Sequence, residues 1–484
     1  MGSKTDFKVR PGDQDTICAL ATAAGIGAIA VVRISGSRSF EIARKVASFL
    51  PAVIESHRAY FGTLRKSERS EGGDSRNIDE ALVTPFAHGK SFTGEESIEF
   101  SVHGGGLIAG KLLEELIFSG ARLAKPGEFT LRAYLNDRID LVQAESILAL
   151  IESRSTDSSA NALSQLKGEL SRHFLSIEDD LVWIGAQLEA SIDFSSDGIE
   201  LKPSEELFGR ASVLEKKVTA LISTYEKGRI LRDGLMVALV GAPNAGKSSV
   251  LNAIVEDDRA IVTDQPGTTR DLVEVETRLE GTPVRWVDTA GIRPTTDEAE
   301  RLGVERSLKA RREADVVAVI IDVSEQGWRE KFANFVREAA GARDRSGDGN
   351  EWYTFNKIDL DKSGEWQATV ESEAERLGVG HRTVFVSAKS GVGLQELKSA
   401  VTAPLQSETF RQGGVAITQA RHVEGLQTIQ HALHKALDLI KKDVSPELIA
   451  FELGVAVRAV HELLGKVFHE QVIDRIFKEF CLGK

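Results

Sequence analysis

Cysteine is nearly absent: Cys18 and Cys481 are the only two among 484 residues. Lying at opposite ends of the chain, they give no disulfide framework and no paired-cysteine metal spacing, and a reducing compartment fits best. Positive charge is also short, with 60 Lys and Arg against 73 Asp and Glu and a formal charge of −13. That excludes a surface that is basic throughout, so a nucleic-acid partner must be held by a local patch. Long apolar runs are missing too. Stretches such as Val316 to Ile321 fall well short of the roughly 18–20 residues that span a bilayer. Met1 to Asp15 mixes charges of both signs and has no apolar core of a signal peptide. The expectation is a soluble, cytoplasmic protein with no membrane partner.

What is present, 42% hydrophobic and 27% charged residues, suits a globular chain of two to four domains. The negative charge is uneven. Residues 1–140 sum to 0, 141–230 to −6, 231–400 to −7 and 401–484 to 0. Any nucleic-acid surface is therefore to be sought on the first and last of these segments rather than on the acidic middle.

The hydrophobic pattern changes three times along the chain. Up to Asn136, short β-rich runs such as Ile29 to Ile34 alternate with turns, and Ser67 to Asn77 reads as an exposed loop, an α+β pattern. From Leu141 the period becomes helical: Leu163, Leu166, Leu170, Phe174, Ile177, Leu181, Ile184, Leu188 and Ile192 recur every three or four residues, with no proline. This predicts one helix of more than 25 residues. Between Arg232 and Pro404, strand and helix patterns alternate, with buried strands expected at Met236–Val240, Val284–Val287, Val316–Ile321 and Val384–Val386. Helical periodicity returns through Val423 to Ile440 and Leu453 to Val467. Neither helical segment can bury its apolar face alone, so the α/β unit is expected to be an insertion in one helical domain.

Residues Gly241-Ala-Pro-Asn-Ala-Gly-Lys-Ser248 follow a predicted strand and precede a predicted helix, the context of a phosphate-binding loop. The backbone N–H groups of Asn244, Ala245, Gly246, Lys247, Ser248 and Ser249 would surround phosphates at the helix N-terminus. Lys247 would neutralise β and γ oxygens, and Ser248 would ligate Mg²⁺. Asp288-Thr289-Ala290-Gly291 ends a predicted strand, with Asp288 near the metal and the Gly291 N–H near the γ-phosphate. The segment Asp264 to Asp271 lies between these blocks and could bring Thr269 to Mg²⁺. Asn356-Lys357-Ile358-Asp359 selects the base, since a carboxylate accepts from both the ring N–H and the exocyclic amine of guanine, whereas adenine offers no such donor pair. Ser387-Ala388-Lys389 would support the base from a second loop. All five blocks in this order point to GTP as substrate.

The hydrolytic groups depart from the Ras pattern. Where a water-positioning Gln is expected, the chain has Ile292. The acidic run Asp297, Glu298 and Glu300 is a nearby source of a polar group, or else simply a solvated helix start. Of the arginines Arg259, Arg270 and Arg293, each able to serve in a salt bridge, Arg293 is carried as a catalytic candidate.

The Asn244 loop, the Asp264 to Asp271 block and the last residues Phe480-Cys-Leu-Gly-Lys484 together resemble the MnmE/TrmE family of tRNA-modification GTPases. The resemblance extends to Ala30 to Gly36, Ser91 to Glu96, His103 to Gly105 and Pro126 to Asn136, and so covers essentially the whole chain. It implies a multidomain fold of α/β and all-α parts. These are an N-terminal folate-binding and dimerisation domain (1–136), a helical-bundle domain built from two chain segments (137–231 and 406–484) and an inserted Ras-like P-loop GTPase domain (232–405). It implies a homodimer working with the FAD-dependent protein MnmG in a heterotetramer or larger complex. Together they would add an aminomethyl or carboxymethylaminomethyl group to carbon 5 of the tRNA wobble uridine. The one-carbon donor would be 5,10-methylenetetrahydrofolate or 5-formyltetrahydrofolate, contacted by Arg33, Glu99, Arg138 and Lys484, although Arg33 and Glu99, on or near predicted strands, could equally form an ordinary ion pair. The family further implies K⁺ bound by Asn244, Thr263, Gln265 and Thr268 when two G domains meet, and a water oriented by Glu300. Its tail favours a reactive thiolate at Cys481, which as a buried apolar residue would instead only close the helical domain. Cys18 matches no family thiol and reads as core.

Two rivals remain at this level. A switch GTPase for ribosome assembly would be expected to carry an RNA-binding module, yet only helices follow the G domain, with no Gly-x-x-Gly clamp in a βα context. A folate-dependent one-carbon enzyme with a passive nucleotide domain would turn over negligible GTP.

Overall fold

The computed structural model describes residues 15–66, 77–195, 205–257, 273–279, 281–288, 310–341, 350–406, 414–442, 444–467, 470–480 and 483. Two compact units emerge. One gathers Met1–Ile151, Ala162–Val218 and Glu424–Lys484, and the other Glu152–Asn161 and Thr219–Val423.

The first unit contains a six-stranded sheet in the order β3-β4-β5-β2-β1-β6, from β1 (Ile17–Leu20), β2 (Ile29–Ser35), β3 (Tyr60–Arg65), β4 (Asn77–Phe86), β5 (Ser97–His103) and β6 (Arg122–Leu123). All neighbours are antiparallel except β1 and β6. Alternation decides its two faces. Val32 and Ile34 of β2 and Ile98, Phe100 and Val102 of β5 are buried in one core with Ile42, Val46, Leu112 and Leu116 of the helices Ser39–Val46 and Gly106–Phe118. The intervening residues face the other way, and register sets Arg33 directly opposite Glu99. Cys18 is fully buried in that core, where desolvation pushes its thiol up to about 12.

Helices complete this unit. The expected single stripe is divided into Thr156–Leu166 and Glu169–Ser195, because Gly168 takes φ +80° and the chain turns there. The Leu166 carbonyl then accepts from the Gln143 side chain at 2.9 Å, which satisfies a helix end the periodicity had run straight through. Helix 169–195 buries Leu170, Phe174, Ile177, Leu181, Ile184 and Leu188 and packs against Pro446–Leu464, whose Ile449, Leu453, Ala456, Val460 and Leu463 are buried. The two helical segments flanking the insertion thus form one core, as expected from their unpartnered stripes. At the rim, Glu178 accepts from Lys466 Nζ at 2.5 Å and lies 2.8 Å from His461 Nε2. The last described helix, Glu470–Lys478, buries Ile473 and Phe477 with Phe480 against Tyr134, Leu141 and Ala144. Beyond it Gly483 presses on the first strand so closely that a Cβ there would lie 1.9 Å from the Leu20 carbonyl oxygen.

The second unit holds a sheet in the order β12-β11-β10-β7-β9-β8, from β7 (Leu235–Gly241), β8 (Val273–Leu279), β9 (Thr282–Asp288), β10 (Val316–Asp322), β11 (Glu351–Asn356) and β12 (Thr383–Phe385). Only the edge pair β8 and β9 is antiparallel. Val316 to Ile321 is buried on both faces, with Val316, Ala318 and Ile320 in one core and Val317, Val319 and Ile321 in the other. The four strands read from the sequence are all present, each shifted or extended by one or two residues.

Candidate active site

A parallel sheet brings its strand C-termini to one edge, and ligands of open α/β sheets bind there. Gly241, Asp288, Asp322 and Asn356 are the last residues of β7, β9, β10 and β11, and Ser387 follows β12 by two. Sequence blocks separated by up to 146 positions are thereby collected along a single edge.

The loop after β7 leads into the helix Lys247–Asp257. Asn244 adopts a left-handed φ of +64°. A Cβ at Gly246 would lie 2.2 Å from Asn356 Nδ2, so glycine permits the close approach of loop and base motif. Asn356 uses that proximity. Its Nδ2 donates to the Ala245 carbonyl at 3.0 Å, and its Oδ1 accepts from the Ala388 N–H at 3.2 Å. One amide thus ties the phosphate loop, the base motif and the last loop together.

Lys247 is buried and donates through Nζ to the Gly241 and Ala242 carbonyls at 2.7 and 2.9 Å. Burial pushes its ammonium below the ordinary lysine range, with the Asp288 carboxylate opposing. Ser248 Oγ donates to Asp288 Oδ2 at 2.6 Å. A hydroxyl and a buried carboxylate side by side at a helix N-terminus are hard oxygen donors of the kind Mg²⁺ takes, so these two residues fit the ion. On the base side, Asp359 is exposed and its Oδ1 accepts from Ser387 Oγ at 2.7 Å, which orients the carboxylate. Ser249 and Lys389 are exposed on the same two loops.

Thr263, Gln265, Thr268, Thr269, Thr289, Ala290, Gly291, Arg293 and Glu300 lie outside the described residues, as do Cys481 and Lys484. The described part of the candidate site is therefore the phosphate-loop motif, the Asp288 carboxylate and the base motif.

A second cluster lies in the first unit. Arg33 donates from Nε and Nη2 to Glu99 Oε1 at 2.9 and 2.7 Å, leaving Oε2 outside that fork. The guanidinium also lies 5.9 and 5.6 Å from the rings of Phe92 and Phe129. Arg138 donates to the Gly89 carbonyl at 3.1 Å and packs beside Gly94, in the turn Ser91 to Glu96. A carboxylate with a free oxygen, flanked by guanidinium and aromatic faces, fits a flat heterocycle bearing N–H donors such as a pterin.

Sequence reasoning missed a buried ion-pair network in the same unit. Arg132, 3% exposed, donates to the Asp15 carbonyl at 2.8 Å, to both Glu95 oxygens at 3.1 and 3.2 Å and to Glu128 at 3.0 Å. Arg122 donates to the same Glu128 at 2.7 Å and to Asp15 at 2.8 Å. Burial works against the Glu128 charge, but hydrogen bonds from Arg122, the Lys125 N–H and Arg132 hold its carboxyl below the ordinary 4.5. Arg132 and Glu128 belong to the block Pro126 to Asn136, and only their i, i+4 spacing hinted at a pair. Asp322, which accepts from Lys357 Nζ at 2.5 Å, was also missed; its one signal is an acid closing a wholly apolar strand.

Comparison with known proteins places the whole chain in one family. Residues 16–138 match the model of the GTP-binding protein TrmE N-terminus, and residues 141–481 that of the MnmE helical domain. The tRNA modification GTPase MnmE of Bdellovibrio bacteriovorus is 42% identical over 98% of both chains. Its namesakes in Chlorobium luteolum and Bacillus velezensis are 37% and 36% identical, each over 97% of this chain and over 97% and 100% of their own. Since relatives of this identity match over nearly the whole chain, and the phosphate-loop and base-motif residues stand assembled on one sheet edge, the chain belongs to the MnmE family of tRNA modification GTPases.

Proposed function

We propose that this GTPase couples GTP hydrolysis to the addition of an aminomethyl or carboxymethylaminomethyl group at carbon 5 of the tRNA wobble uridine. It acts as a cytoplasmic homodimer with MnmG, drawing the carbon from a tetrahydrofolate. The observation that carries this reading is the joint presence in one chain of the Asn356-bridged guanine pocket and the Arg33–Glu99 cluster. A timing GTPase has no use for the second, and a folate enzyme has no use for the first.

In this reading the residues divide the work. Backbone N–H groups of Asn244 to Ser249 receive the phosphates, Lys247 turns from its loop carbonyls to the β and γ oxygens, and Ser248 and Asp288 hold Mg²⁺ with Thr269. Asp359 accepts from the guanine edge, and Ser387 keeps that carboxylate in place. Asn244, an exposed amide at the loop tip, has the oxygen donor that K⁺ takes; Thr263, Gln265 and Thr268 complete its set. The cation beside the phosphates offsets developing charge as a guanidinium would. Glu300 orients water and Arg293 stands by as a further cation. Arg33, Glu99, Arg138 and Lys484 bind the folate, and Cys481 acts as a thiolate on the modification intermediate. The segments 1–136, 137–231 with 406–484, and 232–405 serve as folate, helical and GTPase domains.

Nucleoside analysis of tRNA from cells lacking the protein tests the reading. Loss of the modified wobble uridine is expected, and normal tRNA with a defect in ribosome assembly would replace this reading with the rival one. Hydrolysis is expected to be faster in KCl than in NaCl at equal ionic strength, and equal rates would remove Asn244 from its role.

A further inference from the structure

The base motif contains two charges of opposite sign two positions apart, Lys357 and Asp359, which raises a problem of self-quenching. A lysine ammonium on a flexible four-carbon stem is free to seek the nearest carboxylate. Were it to settle on Asp359, that oxygen pair would be occupied before guanine arrived. The structure holds them apart. Lys357 takes a left-handed φ of +69°, which no β-carbon-bearing residue adopts without cost, and its Nζ donates to Asp322 Oδ2 at 2.5 Å instead. Asp322 is well placed because β10 and β11 pair in register with Asp322 opposite Asn356. It is also pre-set. Its Oδ1 accepts from the Ser324 N–H at 2.9 Å and the Ser324 hydroxyl at 2.5 Å. Burial opposes its charge, yet the bonds from Lys357 and Ser324 keep the carboxyl below its ordinary value. Asp359, meanwhile, receives only the neutral Ser387 hydroxyl among its described partners, so it keeps acceptor capacity for two donors.

We propose that Asp322 is a positioning residue for base selection: by holding the Lys357 ammonium it keeps Asp359 open to the guanine N–H and amine. With its head fixed, the Lys357 stem offers a short apolar rail beside the base, and the charge facing phosphate is left to Lys247. Asp322 touches no nucleotide atom in this scheme and acts only through Lys357. The inference rests on the assignment of Asn356 and Asp359 to guanine.

Affinities of the full-length protein for GDP, inosine diphosphate and xanthosine diphosphate test it. Inosine lacks the exocyclic amine, so the GDP to inosine diphosphate ratio reports how well Asp359 reads that group. In Asp322→Asn we expect GDP affinity to fall about tenfold and the ratio to narrow at least threefold. Adding Lys357→Met to this variant should restore the ratio, since the competing ammonium is gone. Ser324→Ala, at an exposed position, should narrow the ratio slightly with the fold intact, and it serves if Asp322→Asn does not fold. An unchanged ratio in both variants, or a narrowed ratio that Lys357→Met fails to restore, overturns the proposal. Asp359→Asn separates the two assignments: it should turn the protein toward xanthosine diphosphate, and if it does not, the guanine reading itself fails.

Discussion

Two sheets of equal strand number use their residues in opposite ways. The sheet of the nucleotide unit is parallel but for its edge, buried on both faces, and delivers function at the ends of its strands. The N-terminal sheet is antiparallel but for one short strand, packs its main core against one face, and carries Arg33 and Glu99 in mid-strand on the other. In the first, a mid-strand residue is packing, and chemistry is left to the strand ends and loops. In the second, neighbouring positions on one strand alternate between the two. The difference teaches where a substitution will be felt: the loops of the parallel sheet can lose activity without losing stability, whereas in the antiparallel sheet fold and site share a strand.

The sharpest test of that division is Lys247→Ala. Removing the ammonium proposed to meet the phosphates is expected to lower kcat/KM for GTP hydrolysis at least 100-fold, in the range seen for loss of one transition-state contact. The melting profile should stay within about 2 °C, and a collapse of the fold would break the comparison. Next comes Arg132→Met, which strips Glu95 and Glu128 of a buried partner. Destabilisation of about 3–5 kcal/mol is expected in the first unit, read as an earlier melting transition. GTP turnover at low temperature should remain within about twofold of the parent.

A smaller effect follows from acid. Folded Glu128 and Asp15 have pKa values depressed below 4.5 and 3.8, so their contribution is complete above those values. It is lost as pH falls through the lower folded values, and stability of the first unit should therefore decline progressively below about pH 4.5. The Arg132→Met protein should show a shallower decline in the same window, measured by thermal melts from pH 6 to 3. Smallest is Trp286→Phe. It removes the 2.8 Å bond from Nε1 to Thr277 Oγ1 between β9 and β8 and leaves a buried hydroxyl without it, costing about 1–2 kcal/mol by denaturant titration.

The same contrast explains what could be read beforehand. Phosphate loop, Asp288, Asn356 to Asp359 and Ser387 to Lys389 were legible because a parallel sheet gathers short contiguous loops, each carrying its own chemistry. Strands such as Val316–Ile321 were legible because burial on both faces leaves an unbroken apolar run. The Arg33–Glu99 pair spans 66 positions, and only register brings it together; the family resemblance named those residues, while their spacing did not. The Arg132 hub was illegible for the same reason, since Asp15 and Glu95 are local in space alone. The helix break at Gly168 escaped because the apolar period runs on across it.

Gly483 against Leu20 has a consequence in time. The two residues are separated by 463 positions, and at synthesis rates of about 5–20 residues per second the first strand waits roughly 25–90 s for this contact. The N-terminal sheet can form long before then, and so can the nucleotide unit, whose residues are all made in between. Gly483 is thus fitted onto a strand made long before it. A chain cut short before Gly483 would lack this contact although every residue of the described nucleotide site had already been made.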